Sequence, residues 1–177
     1  MYPTKDVLSE REAIEGSMRP TKNNLPEKTR TQITTLLQDR LVDSIDLTLQ
    51  AKQAHWNVKG PSFIALHELF DKVAKDAETY VDLIAERIVQ LGGTAVGTLG
   101  PVNKRSSLPA YPVTISSGRE HVAALSHALA SFGESVRKSI DQASEMEDAG
   151  TADILTQISR AVDKYLWFVE AHGQGVN

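Results

Sequence analysis

The stretch "QAHWNVKGPSFIALHELFD", residues 53–71, sets two histidines, a tryptophan and an aspartate around a tight break at Gly60-Pro61-Ser62. Helical periodicity runs into the break from both sides. The chain is therefore expected to turn back on itself and form a helical hairpin. Only five histidines occur in the whole chain. Two of them stand at the two edges of this hairpin, either as ordinary polar caps or as ligands of a metal.

Upstream of the break, Ile33, Leu37, Leu41, Ser44, Thr48, Ala51 and His55 fall on one helical stripe, with Leu36 and Leu47 beside it. The spacing predicts a helix over about 26–57, with Pro26 in its first turn. Downstream, Phe63, Leu66, Phe70, Ala74, Ala77, Val81, Ile84, Ile88 and Leu91 recur every three or four residues. This second helix is expected to start after Pro61, with Ser62 as N-cap, and to end at Gly92-Gly93 through a left-handed C-cap. Residues 94–116, with Gly97, Gly100, Pro101, Pro109 and Pro112, read as a long crossover carrying a short helix.

A third long helix opens at "SGRE", where Ser117 and Glu120 match a capping box. Its apolar set is Val122, Leu125, Leu129, Phe132, Val136 and Ile140, and it stops near "EMEDAG". The fourth, from Thr151 to about Ala171, carries Ile154, Leu155, Ile158, Val162, Leu166 and Val169. No convincing strand pair occurs. Two hairpins joined by a long crossover predict an all-α, four-helix bundle of ferritin-like connectivity over 25–172. Residues 1–24 read as a flexible N-terminal arm, and 173–177 as a short tail.

The chain has 177 residues, enough for one domain with a real core. Its net charge of -4 makes the body no magnet for nucleic acid. Cysteine is absent, which excludes disulfides, thiolate zinc sites and cysteine nucleophiles. No segment approaches the length of a membrane span, and the N-terminus lacks the apolar core of a signal peptide, so a cytoplasmic location is expected.

Four residues of the second helix have ligand chemistry: His67, Asp71, Asp82 and Glu86. They span about 100° of the helix surface, beside the apolar stripe. His67/Asp71 and Asp82/Glu86 are i,i+4 pairs, so each can converge on one ion, and imidazole with carboxylates suits iron, manganese or zinc. The pair centres lie fifteen residues apart, about 22 Å along a helix. One chain cannot bring them together. Two copies of the helix, antiparallel across a two-fold axis near Asp76-Ala77, would set the first pair of one chain against the second pair of the other. His55 ends the preceding helix and joins the His67/Asp71 half. The spacing alone leaves a second reading open, that of acidic pairs on a solvated helix face, with Lys75 and Glu78 as plain surface residues. Trp56 is by default a core or interface aromatic. His121, His127 and His172 show no partner spacing. Asp148 and Asp153 flank the start of the fourth helix, where carboxylates favour the helix dipole in any protein. No E-x-x-H occurs, which argues against a site inside one bundle.

The segments "KQAHWNVKGPSFIALHELFD" (52–71), "DLIAERIVQLGG" (82–93) and "TADILTQISRAVDKYLWFVE" (151–170) resemble the Dps family, the DNA-binding proteins from starved cells, or miniferritins. The resemblance covers roughly residues 25–171. It implies a four-helix subunit assembled as a hollow dodecamer that protects the cell from oxidative stress. It implies a ferroxidase centre with His55, His67 and Asp71 from one subunit and Asp82 and Glu86 from its two-fold neighbour. It implies oxidation of Fe(II), usually by hydrogen peroxide in preference to oxygen, and storage of ferric mineral; a separate reading is an assembled shell whose centre is weak or occupied by zinc as a competitor. Asp148 and Asp153 match the acidic residues that line the family's iron-entry pores. The alternative is a DNA-compacting nucleoid protein whose iron chemistry is secondary. The arm is charge-balanced, so DNA binding is expected to be weak or absent.

Overall fold

The structure is a computed structural model and describes residues 18–174. Most of the expected arm, 1–17, and residues 175–177 of the tail lie outside the described residues. Five helices follow one another: α1 (Glu27–Asn57), α2 (Phe63–Gln90), the short α3 (Leu99–Arg105), α4 (Gly118–Glu145) and α5 (Ala149–Ala171). The long helices pair as two hairpins, α1 on α2 and α4 on α5, joined by the crossover that carries α3. Among the described residues the only β pairing is an isolated bridge between Lys59 and Ser117. It ties the tip of the first hairpin to the start of α4. The all-α four-helix bundle is therefore the fold, with helix ends close to those the periodicity predicts.

The core follows the apolar stripes. Ile33, Leu37, Leu41, Leu47, Phe70, Ile84, Leu125, Phe132, Leu155 and Val162 are fully buried or nearly so. Phe63 departs from its stripe: it is exposed at the start of α2. Ser62 holds the N-cap position, but its side chain makes no capping bond. By contrast Ser117 and Glu120 form both bonds of the capping box. The fourth long helix starts two residues earlier than expected, at Ala149, because the Asp148 carboxylate caps it by accepting from the Thr151 N–H at 3.0 Å.

Helix α1 buries polar residues as well as apolar ones: Gln38, Asp43, Ser44 and Gln50. Gln38, Asp43 and Gln50 serve the crossover, which lies along α1. Gln38 donates to the Val96 carbonyl at 2.7 Å and accepts from the Val96 N–H at 3.0 Å. Asp43 accepts from the Ser107 N–H at 2.7 Å, and Gln50 donates to the Pro109 carbonyl at 3.0 Å. A loop lying on a helix must have its backbone groups satisfied, and these side chains do it. Burial raises the Asp43 carboxyl above its usual range, against the opposing pull of Ser107 and Arg40. At the other end of the bundle, residues 18–24 are irregular, and the Arg19 N–H donates to the Gly92 carbonyl at 2.7 Å.

Candidate metal centre

The hairpin tip brings His55, at the end of α1, against His67, in the second turn of α2. The rings stack with centroids 3.7 Å apart. Each Nδ1 lies within hydrogen-bond distance of the other residue's backbone carbonyl, 2.7 Å for His55 to His67 and 2.8 Å for His67 to His55. A carbonyl oxygen only accepts, so both Nδ1 atoms carry the proton. In the neutral rings the lone pairs then sit on the two Nε2 atoms, and neither Nε2 is hydrogen-bonded among the described residues. This is the arrangement that prepares an imidazole to bind a cation, because the second nitrogen is anchored and the tautomer is set.

One turn beyond His67, Asp71 is half-buried on the same face of α2. Its two oxygens are bracketed by ammonium groups. Lys52 of α1 approaches Oδ1 at 2.6 Å, and Lys75 of α2 approaches Oδ2 at 2.8 Å. Hydrogen bonds from the two lysines hold the Asp71 carboxyl far below the usual carboxylate range. Asp82 and Glu86 are exposed further along α2, with no hydrogen bond or ion pair among the described residues. Within one chain no three histidines, aspartates or glutamates converge among the described residues. His55 and His67 meet at the hairpin tip and Asp71 follows one turn later, but the three do not close into a metal-holding group within one chain, and Asp82 and Glu86 lie further along α2.

Large apolar side chains near the histidines in sequence are exposed. Trp56 is 66% exposed, so within one chain it is no core residue, and Phe63 and Ile64 at the start of α2 are exposed as well. The Phe63 ring lies 5.1 Å from that of His67. At the start of α5 the two remaining candidates separate. Asp148 is only 2% exposed; it caps the helix, accepts from the Thr151 hydroxyl at 2.6 Å and pairs with Arg87 at 2.7 Å. Asp153 is exposed. His121 is buried, with its Nδ1 2.7 Å from the Tyr111 hydroxyl, while His127 and His172 are exposed.

A family model described as the ferritin-like domain matches residues 34–176. The DNA protection during starvation protein of Agrobacterium fabrum is 47% identical over 87% of this chain and 95% of its own length. The chain belongs to the Dps family of ferritin-like proteins.

Other Dps proteins agree. The DNA protection during starvation protein of Mycolicibacterium smegmatis is 36% identical over 84% of this chain and 80% of its own. The solved structure of Mycobacterium smegmatis Dps superposes with a TM-score of 0.85 at 34% identity, covering 90% of each chain. The Dps family is known for iron storage and DNA protection. Among the described residues no helix is long and apolar enough to cross a membrane.

Two residues that the sequence leaves unmarked pair with Asp71. Lys75 reads as plain surface but grips Asp71, and its i,i+4 spacing from that residue is the signal. Lys52 reaches Asp71 across the hairpin, and no local spacing foretells such a contact.

Proposed function

We propose that this Dps chain oxidises Fe(II) at centres shared between two subunits and stores the ferric product as mineral in a hollow dodecameric shell. The observation that carries the proposal is the reciprocal Nδ1–carbonyl lock of His55 and His67, which leaves the Nε2 lone pair of each partly exposed ring without a hydrogen-bond partner among the described residues. Two antiparallel copies of α2 would bring Asp82 and Glu86 of the partner subunit to His55, His67 and Asp71. The exposed Trp56, Phe63 and Ile64 suit such an interface. Nitrogen and carboxylate donors fit iron, and equally fit zinc as a competitor. Few protein ligands leave coordination positions for the oxidant.

Hydrogen peroxide is the preferred oxidant in this proposal. Two Fe(II) ions each give one electron, peroxide takes both, and two protons complete two waters. Iron reaches the interior through an acidic route at Asp153. Asp148 supports that route by fixing the start of α5, since its own carboxylate is engaged by Thr151 and Arg87. Protection of DNA follows from removing both Fe(II) and peroxide. Rates of Fe(II) oxidation, measured with peroxide and with oxygen, with and without Zn(II), test the proposal. Faster oxidation by peroxide and inhibition by Zn(II) are expected. Rates unaffected by saturating Zn(II) would count against a nitrogen–carboxylate centre.

A further inference from the structure

Asp71 is an unusual candidate ligand because a cation already sits on each of its oxygens. Two ammonium groups around one carboxylate leave a net positive spot on the half-site. A divalent ion approaching His55 and His67 meets that charge first. To bind the carboxylate it must displace at least one lysine. The two lysines differ in how readily they leave. The Lys52 side chain is 33% exposed and crosses between helices, whereas that of Lys75 is 69% exposed and stands one turn after Asp71 on the same helix. A strongly hydrated ammonium on a flexible stem exchanges its partner for water at little cost when it is exposed.

We propose that Lys75 is an exchangeable occupant of the metal site: its ammonium holds Asp71 Oδ2 while the site is empty, and an incoming divalent cation displaces it. This rests on the proposed ligand role of Asp71. Lys75 is then an affinity-setting residue. It weakens the hold on the cation by the strength of one exposed ion pair, while Lys52 keeps the carboxylate oriented. A site tuned this way discriminates against dilute cations and holds its oxidised product less tightly.

The test uses the assembled full-length protein and Co(II), which is redox-inert under these conditions and reports its ligands through visible absorption. Lys75→Gln should tighten Co(II) binding about two- to fivefold, the range for an exposed ion pair. Lys75→Arg, which keeps the charge, should stay close to the wild type. The gap between wild type and Lys75→Gln should shrink at ~1 M salt, where the Debye length falls to about 3 Å. A purely structural role for Lys75 would not produce that salt dependence. Unchanged or weaker binding by Lys75→Gln in a protein that otherwise binds Co(II) overturns this inference alone. Failure of the wild-type assembly to bind Co(II) at all overturns the shared centre, and this inference with it.

Discussion

Each of the two candidate histidines, His55 and His67, spends one nitrogen on the other's backbone, so they form one unit. Removing either ring frees the partner's carbonyl and loosens the remaining imidazole. His67→Ala is expected to lower Co(II) or Fe(II) affinity at least tenfold, the usual order for losing a ligand's support, while the melting temperature falls little, because the rings are only partly buried. Titration of the assembled variant checks this; affinity within twofold of wild type would remove His67 from the site. His121, which is fully buried, behaves differently. Burial pushes His121 below its ordinary value of 6.5, so the folded protein keeps it neutral. As pH falls below 6.5 the unfolded chain takes up the proton first, and stability declines until the buried ring itself protonates. His121→Gln should flatten that decline, read as melting temperature from about pH 7 to about pH 5. The same slope in both proteins would mean that another group carries it.

Among the elements, the ends of α2 and α4 use one device with opposite residue choices. Both helices close with paired backbone bonds around a left-handed residue. At α2 this is Gly92, with φ 92°, and the N–H groups of Gly92 and Gly93 donate to Val89 and Ile88. At α4 it is Glu147, with φ 59°, and the N–H groups of Glu147 and Asp148 donate to Ser144 and Ala143. A side chain at position 92 would be strained twice, since an added Cβ would lie 2.6 Å from the Arg19 carbonyl oxygen. Gly92→Ala should therefore cost roughly 1–3 kcal/mol, and Glu147→Gly should gain roughly 1 kcal/mol by relieving a non-glycine residue in that region. Chemical denaturation of the two variants, with shifts of opposite sign, checks the pair. The double glycine at 92–93 announces its helix end in the sequence. "EMEDAG" announces a stop less sharply, and its Schellman geometry and the cap by Asp148 emerge only once α5 packs beside Arg87.

For the whole molecule, the proposed centre needs Asp82 and Glu86 from a second chain, so the proposed function belongs to an assembly. Chains carrying His67→Ala and chains carrying Glu86→Ala should each be nearly inactive as pure assemblies. Co-assembled from both, some interfaces regain one intact site, and partial Fe(II) oxidation should return. Well-mixed shells without recovery would argue for a site within one chain. DNA binding should be weak, despite the name of the relatives. Residues 1–24 carry Lys5, Arg11, Arg19 and Lys22 against Asp6, Glu10, Glu12 and Glu15, and affinity for duplex DNA comes mostly from cations that neutralise phosphates. Little or no gel shift is expected at ~0.15 M salt, where screening acts over about 8 Å. Tight binding that is lost on deleting residues 1–24 would favour the DNA-compaction alternative.

The bundle was legible in the chain because long helices bury one stripe each, and that stripe repeats locally: Leu66, Phe70, Ala77, Ile84 and Ile88 need no partner to be recognised as a core face. The capping box at Ser117 and the glycine stop at Gly92 are equally local. The candidate ligands were legible for the same reason, as i,i+4 pairs on one helix. Contacts across elements were not. The histidine lock joins residues twelve positions apart, the Lys52–Asp71 pair spans nineteen, and Asp43 and Asp46 of α1 meet a crossover about sixty residues away. Periodicity says which face of a helix is buried, but not which polar group meets which once two faces close. Only tertiary packing decides that, because hydrogen bonds and ion pairs depend on distances of a few ångströms that no sequence spacing encodes.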